Sequence, residues 1–77
     1  MSNIQNDIQP RLQYNYASID TSTFECIGCG TFSYQINHPA YIEVPTATDD
    51  YIGKYYNPTD GLFYYEPEYI NVFNPLA

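Results

Sequence analysis

Near its C-terminal end the chain reads YIGKYYNPTDGLFYYEPEY, from Tyr51 to Tyr69, and no other stretch constrains the fold as tightly. Two aromatic runs, Tyr55-Tyr56 and Phe63-Tyr64-Tyr65, flank Asn57-Pro58-Thr59-Asp60-Gly61. Proline presets φ for the second position of a type I turn, and glycine accepts the positive φ that closes it. Aromatic rings suit the pleated, half-buried surface of a strand. The stretch predicts a β-hairpin with a turn of about five residues.

The rest of the chain also reads as strand and turn. Residues 1–11 are polar and hold Pro10, which predicts an extended arm without a core of its own. From Leu12 onward the chain alternates: Leu12, Tyr14 and Tyr16 on one face, Gln13, Asn15 and Ala17 on the other. Asp20-Thr21-Ser22-Thr23 predicts a turn, because these side chains bond their own backbone. Phe24 to Tyr34 alternates again. A regular strand there puts Phe24, Cys26, Gly28, Gly30, Phe32 and Tyr34 on one face, opposite Glu25, Ile27, Cys29, Thr31 and Ser33. Gly28 and Gly30 mark it for a bulge or a close backbone approach.

Gln35 to Ala40 predicts a loop, since Pro39 keeps His38 out of helix. Tyr41 to Val44 predicts a short strand ended by Pro45, and Thr46 to Asp50 a polar connection. After Pro67, residues 69–73 predict an edge strand or an arm. No window carries a helical stripe, and six Pro and four Gly interrupt the chain. The expected fold is all-β: a small antiparallel meander of about four or five short strands built from hairpins. It spans residues 12–73, with extended N- and C-terminal arms at 1–11 and 74–77.

A chain of 77 residues makes one domain at most, and one of this size buries only about 60% of its unfolded surface. Partner contacts or self-association then add stability. The net charge is −7, and Arg11 and Lys54 are the only Lys or Arg. A phosphate-binding surface needs clustered Lys and Arg, so direct nucleic-acid binding is not expected. Anionic membrane surfaces are disfavoured for the same reason. No segment approaches the roughly 18 apolar residues of a membrane span. The N-terminus lacks the basic and apolar regions of a signal peptide, so the chain is expected to stay in the compartment where it is made. Cys26 and Cys29 are then expected as reduced thiols.

Those cysteines form a C-x-x-C-G knuckle, which resembles half of a zinc ribbon or a thiol redox pair. Structural zinc wants four ligands, and His38 is the only other soft candidate. Zinc is therefore conceivable only as a site shared by two chains, each giving Cys26 and Cys29. The redox reading wants a helix N-terminus in a thioredoxin-like context, which is absent. On a regular strand the two side chains point to opposite faces and meet neither each other nor one metal, so structural cysteines are the preferred reading. His38, in a polar loop, has no recognisable nucleophile or orienting carboxylate and reads as solvated. Asp49-Asp50, Asp60, Glu66 and Glu68 make no oxygen-ligand loop. They read as turn and edge charges, which also discourage edge-to-edge aggregation. No catalytic residue and no cofactor is assigned.

The ten Tyr and four Phe carry the functional weight. A core this small cannot enclose them all, and tyrosine is common at interfaces because it joins a large ring to a polar tip. Neighbours such as Tyr55-Tyr56 and Tyr64-Tyr65 must split between the two faces of a strand. The expected partner-binding set is Tyr51, Tyr55, Tyr56, Phe63, Tyr64, Tyr65 and Tyr69.

From Tyr14 to Tyr69 the chain resembles short proteins of tailed bacteriophages that lie among tail and tail-fibre genes. The resemblance rests on a first hairpin, the Tyr41-Ile42-Glu43-Val44 strand, and the hairpin from Ile52 to Tyr64 (IGKYYNPTDGLFY). These motifs are structural and carry no catalytic residues. The resemblance implies a virion-associated tail or tail-fibre protein, assembled in the host cytoplasm, whose partners are larger virion proteins or copies of itself. The first expectation is therefore a structural or accessory protein docking through a Tyr-rich β surface, with rings as anchors. The alternative is an acidic inhibitor of a host defence nuclease, occupying a basic nucleic-acid-binding surface by charge mimicry. An enzyme is the third class, and it lacks a nucleophile motif, a phosphate loop and a complete metal set.

Overall fold

The computed structural model of the chain describes residues 13–75. The arm expected at 1–11, Leu12 and the last two residues lie outside that range. Two three-stranded antiparallel sheets make up the fold, which is all-β as expected. The first is built from β1 (Tyr14–Ile19), β2 (Cys26–Phe32) and β3 (Tyr41–Glu43), in the order β2-β1-β3. The second is built from β4 (Tyr55–Asn57), β5 (Leu62–Tyr64) and β6 (Val72–Phe73), in the order β4-β5-β6. Only the second is a simple meander. In the first, β3 pairs with β1, so the chain crosses between β2 and β3 and lays its loop beside Tyr16, whose hydroxyl accepts the Ile36 N–H at 2.9 Å.

Turn chemistry sets the register. Asp20 accepts the Ser22 N–H on its side chain and the Phe24 N–H on its carbonyl, which places Phe24 at a φ of 65°. The β4–β5 hairpin forms where the aromatic runs predict it, with Tyr55 opposite Tyr64, Tyr56 opposite Phe63 and Asn57 opposite Leu62. Gly61 closes the turn at a φ of 77°, its N–H bonded to the Asn57 carbonyl. The polar connection after β3 ends in a single 3-10 turn, Asp49–Tyr51, whose N-cap Thr48 accepts the Asp50 N–H.

A backbone seam fuses the two sheets. Cys26 donates its N–H to the Lys54 carbonyl at 2.7 Å and accepts the Gly53 N–H at 2.9 Å. The Tyr56 N–H bonds the Phe24 carbonyl, and Glu25 bridges to Tyr55. One apolar core therefore serves both sheets. Ala17, Ile19, Cys26 and Val44 come from the first sheet and its flanks, Phe63 and Phe73 from the second. Tyr51, swung inward by the 3-10 turn, completes the core.

The expected regular strand from Phe24 to Tyr34 is not regular. Cys29 lies opposite Ala17 and Gly28 opposite Ser18, but Cys26 rather than Ile27 lies opposite Ile19. Ile27 is the extra residue of a β-bulge, and it points to solvent, 62% exposed. The inserted residue inverts the facing of everything before it. Cys26 and Cys29 thus share the core face, because cross-strand partners share a face and Ala17 and Ile19 are both core. The expectation that they point apart is corrected.

Candidate functional site

The seven aromatics expected to meet a partner divide by strand parity. Tyr56 and Phe63 lie opposite each other, and Phe63 lies opposite Phe73, so these three rings form the inner face of the second sheet. Tyr51 packs edge-on against Phe63 and Phe73, with centroids 4.9 Å and 5.2 Å away. Tyr51 and Phe63 are interior and cannot contact a partner without unfolding. For Phe63 the reason is its place on the inner face of β5; for Tyr51 it is the 3-10 turn, whose first two residues were expected to be plain connection.

Tyr64, by contrast, belongs to the outer face with Leu62 and Val72, since Tyr64 pairs with Val72 and alternates with Phe63. It is nevertheless buried. The segment between β5 and β6 folds over it: the Tyr69 ring lies 5.3 Å from the Tyr64 ring, and the Tyr69 hydroxyl donates to the Tyr56 carbonyl at 3.0 Å. The Tyr64 hydroxyl donates to the Asp60 carboxylate. That bond favours the neutral phenol and raises the Tyr64 pKa above its ordinary value. Tyr55 and Tyr69 are half-buried and Tyr65 is exposed.

The fold-over is held by Glu66, expected to be a solvated edge charge. Its carboxylate accepts the Asn71 backbone N–H at 2.8 Å and the Asn71 side-chain amide at 2.5 Å. These bonds, the side-chain one foremost, hold its pKa below the usual carboxylate range. Tyr69 closes the turn at a φ of 60°, its N–H on the Glu66 carbonyl. A bulky residue there is strained, and its ring contact and hydroxyl bond offset that cost. The sequence offered an edge strand or an arm after Pro67, and nothing in the spacing showed that Tyr69 would roof Tyr64.

On this outer face Leu62 and Val72 are exposed apolar side chains, and Ile70, in the segment before β6, is exposed as well. Sequence reasoning, weighted to aromatics, passed over all three. Lys54 turns away to the rim of the inner face. Its ammonium stands 5.1 Å from the Tyr65 ring centroid and 4.9 Å from that of Phe73, and it donates to the Asp50 carbonyl.

A second aromatic cluster covers the far side of the first sheet. Tyr16, Phe32 and Tyr41 meet edge to face at about the same spacing, with Tyr34 and His38 at its margins. His38 is therefore on the opposite side of the sheet from Cys26 and Cys29, and its Nδ1 accepts the Ala40 N–H. Among the described residues no three His, Cys, Asp or Glu gather as a metal site. Cys26 is 1% exposed, and its thiol faces the core rather than a second chain, as the shared zinc site would require. Burial raises the pKa of both thiols. No protein-family model, curated protein or solved structure matches the chain.

Proposed function

We propose that the chain is a small structural or accessory protein of a phage tail, docking onto a larger virion component through the outer face of its second sheet. The observation that carries this is that Leu62, two residues before the roofed Tyr64 on β5, and Val72, opposite Tyr64 on β6, are both about half exposed. Apolar side chains held on a rigid sheet, beside a tyrosine turn that fixes their surroundings, suit an interface core. The virion assignment itself rests on the resemblance of the Ile52–Tyr64 hairpin and the Tyr41–Val44 strand to tail-associated proteins. The test is light scattering after size exclusion, at low and high salt, with the chain alone and mixed with purified tail proteins. A salt-resistant complex, lost on Leu62→Asp with Val72→Asp, is the expected result. No association with itself or with any tail component would sink the proposal.

The acidic-inhibitor reading draws on a different feature. Lys54 is the only Lys or Arg among the described residues, and its ammonium is committed to two rings and a carbonyl. Among the described residues the exposed charge is thus almost wholly negative. A complex with a nucleic-acid-binding host protein that dissolves between low and high salt would favour this reading.

A further inference from the structure

We infer that Cys26 and Cys29 form a dithiol site that closes to an intrachain disulfide when it meets a small disulfide donor, pinning β2 at the seam between the two sheets. The bulge at Ile27 is the ground for it. Because Cys26 lies opposite Ile19 and Cys29 opposite Ala17, four residues of β2 cover the span of three in β1. Two strand steps measure about 6.6–6.8 Å between Cα atoms, at the upper end of the range a disulfide bridges, roughly 4.4–6.8 Å. On a regular strand the same residues would sit three steps apart on opposite faces, and no bridge could form. Here both side chains stand on one face, and both belong to or pack against one core cluster.

The orientation of the Cys26 thiol agrees. It donates to the Gly28 carbonyl at 3.1 Å, which holds the sulfur beside the residue that precedes Cys29. The backbone of Cys26 is also the seam: its N–H and carbonyl make the bonds to Lys54 and Gly53. A bridge from Cys26 to Cys29 therefore fixes the one residue of β2 that holds both sheets.

Exposure sets the order of events. Cys29 is half-buried and Cys26 buried, so the donor meets Cys29 first. The Cys29 thiolate attacks one sulfur of a donor such as oxidised glutathione. The donor S–S bond breaks, one glutathione leaves as a thiol, and a mixed disulfide forms on Cys29. Cys26, deprotonated, then attacks the Cys29 sulfur and expels the second glutathione thiol. The pair loses two electrons and two protons, and the donor gains both. Because burial raises both thiol pKa values, the reaction quickens with rising pH as the thiolate fraction grows.

The full chain is incubated with glutathione redox buffers, folded and again in guanidinium, quenched in acid and weighed by mass spectrometry. The expected folded product is a monomer about 2 Da lighter with no free thiol. Its dispersed amide NMR spectrum shows that the fold persists. The effective concentration of the pair should be at least about tenfold higher folded than unfolded. Cys26→Ser should stop at a glutathione adduct on Cys29, and Cys29→Ser should leave Cys26 unreacted. An effective concentration equal to or below the unfolded value overturns the inference, as does a folded chain that stops at the adduct or does not react.

Discussion

Tyr51 meets Phe63 edge to face, ring centroids 4.9 Å apart and planes at 70°, and through this contact the 3-10 turn is locked to the central strand of the second sheet. Tyr51 also touches Phe73 and packs in the same cluster as Cys26 and Ala17. One ring thus links the two sheets at their shared core. Truncating a buried large aromatic costs about 3–5 kcal/mol, a large part of what holds a domain of this size together. Tyr51→Ala is expected to leave the chain largely unfolded at room temperature by far-ultraviolet circular dichroism. Tyr51→Phe keeps the ring and should cost less than about 1.5 kcal/mol. Equal loss in both variants would mean that the hydroxyl, not the ring, is what matters.

Gly61 offers a test free of packing. Its φ is 77°, and a Cβ built there meets nothing within 4 Å. Gly61→Ala therefore changes only the backbone cost of the left-handed region, about 1–2 kcal/mol. For a chain this short, each kcal/mol lowers Tm by roughly 4–8 °C. A thermal melt should show a drop of roughly 4–16 °C with an unchanged spectrum. An unchanged Tm would place the β4–β5 turn outside the cooperative unit.

The hairpin was legible because Asn57, Pro58 and Gly61 announce a turn and the flanking rings announce strands. All-β character was legible for the same local reasons. What the chain did not declare was non-local. The bulge at Ile27 exists because Cys26 must also serve the seam to Lys54 and Gly53, and period-two reading has no access to that second partner. Tyr51 looked like one more surface ring, because a single turn of 3-10 helix has no periodic signature. Of the aromatics assigned to docking, Tyr51, Phe63 and Tyr64 went inside. Short strands supply few aliphatic side chains, so Tyr51, Phe63 and Phe73 complete the core beside Ala17, Ile19, Cys26 and Val44. That frees Leu62, Ile70 and Val72 to stay outside.

Glu66 links the roof over Tyr64 to pH. Its folded pKa is depressed by the two Asn71 bonds, the side-chain amide foremost. A depressed carboxylate contributes stability that is present above its unfolded pKa, about 4.3, and is lost as pH falls through the folded value. Between those values the roof should loosen while the core persists. The Asn71 amide resonances should shift as pH falls below the unfolded value, and the Tyr69 ring resonances should move with them. Glu66→Gln should abolish that titration. A wild-type Asn71 signal that stays flat through the acid range would show that the Glu66–Asn71 bonds do not form in solution.

The outer face yields the sharpest discrimination between docking and charge mimicry. Leu62 and Val72 are exposed on the same face, and surface substitutions away from packed or strained features usually stay within about 0.5 kcal/mol of neutral. Leu62→Asp with Val72→Asp should therefore leave the melt nearly unchanged. It places two new carboxylates in the middle of the proposed contact, where an unpaired buried charge is costly. Aromatic and apolar docking should weaken by at least about tenfold, equivalent to roughly 1.4 kcal/mol, with little dependence on salt. A chain that binds a basic surface by charge should instead bind as well or better after gaining two acids. Calorimetric titration of the double variant against the captured partner reads the sign directly: weaker binding supports the outer face as the interface core, and stronger binding assigns the interaction to the acidic surface.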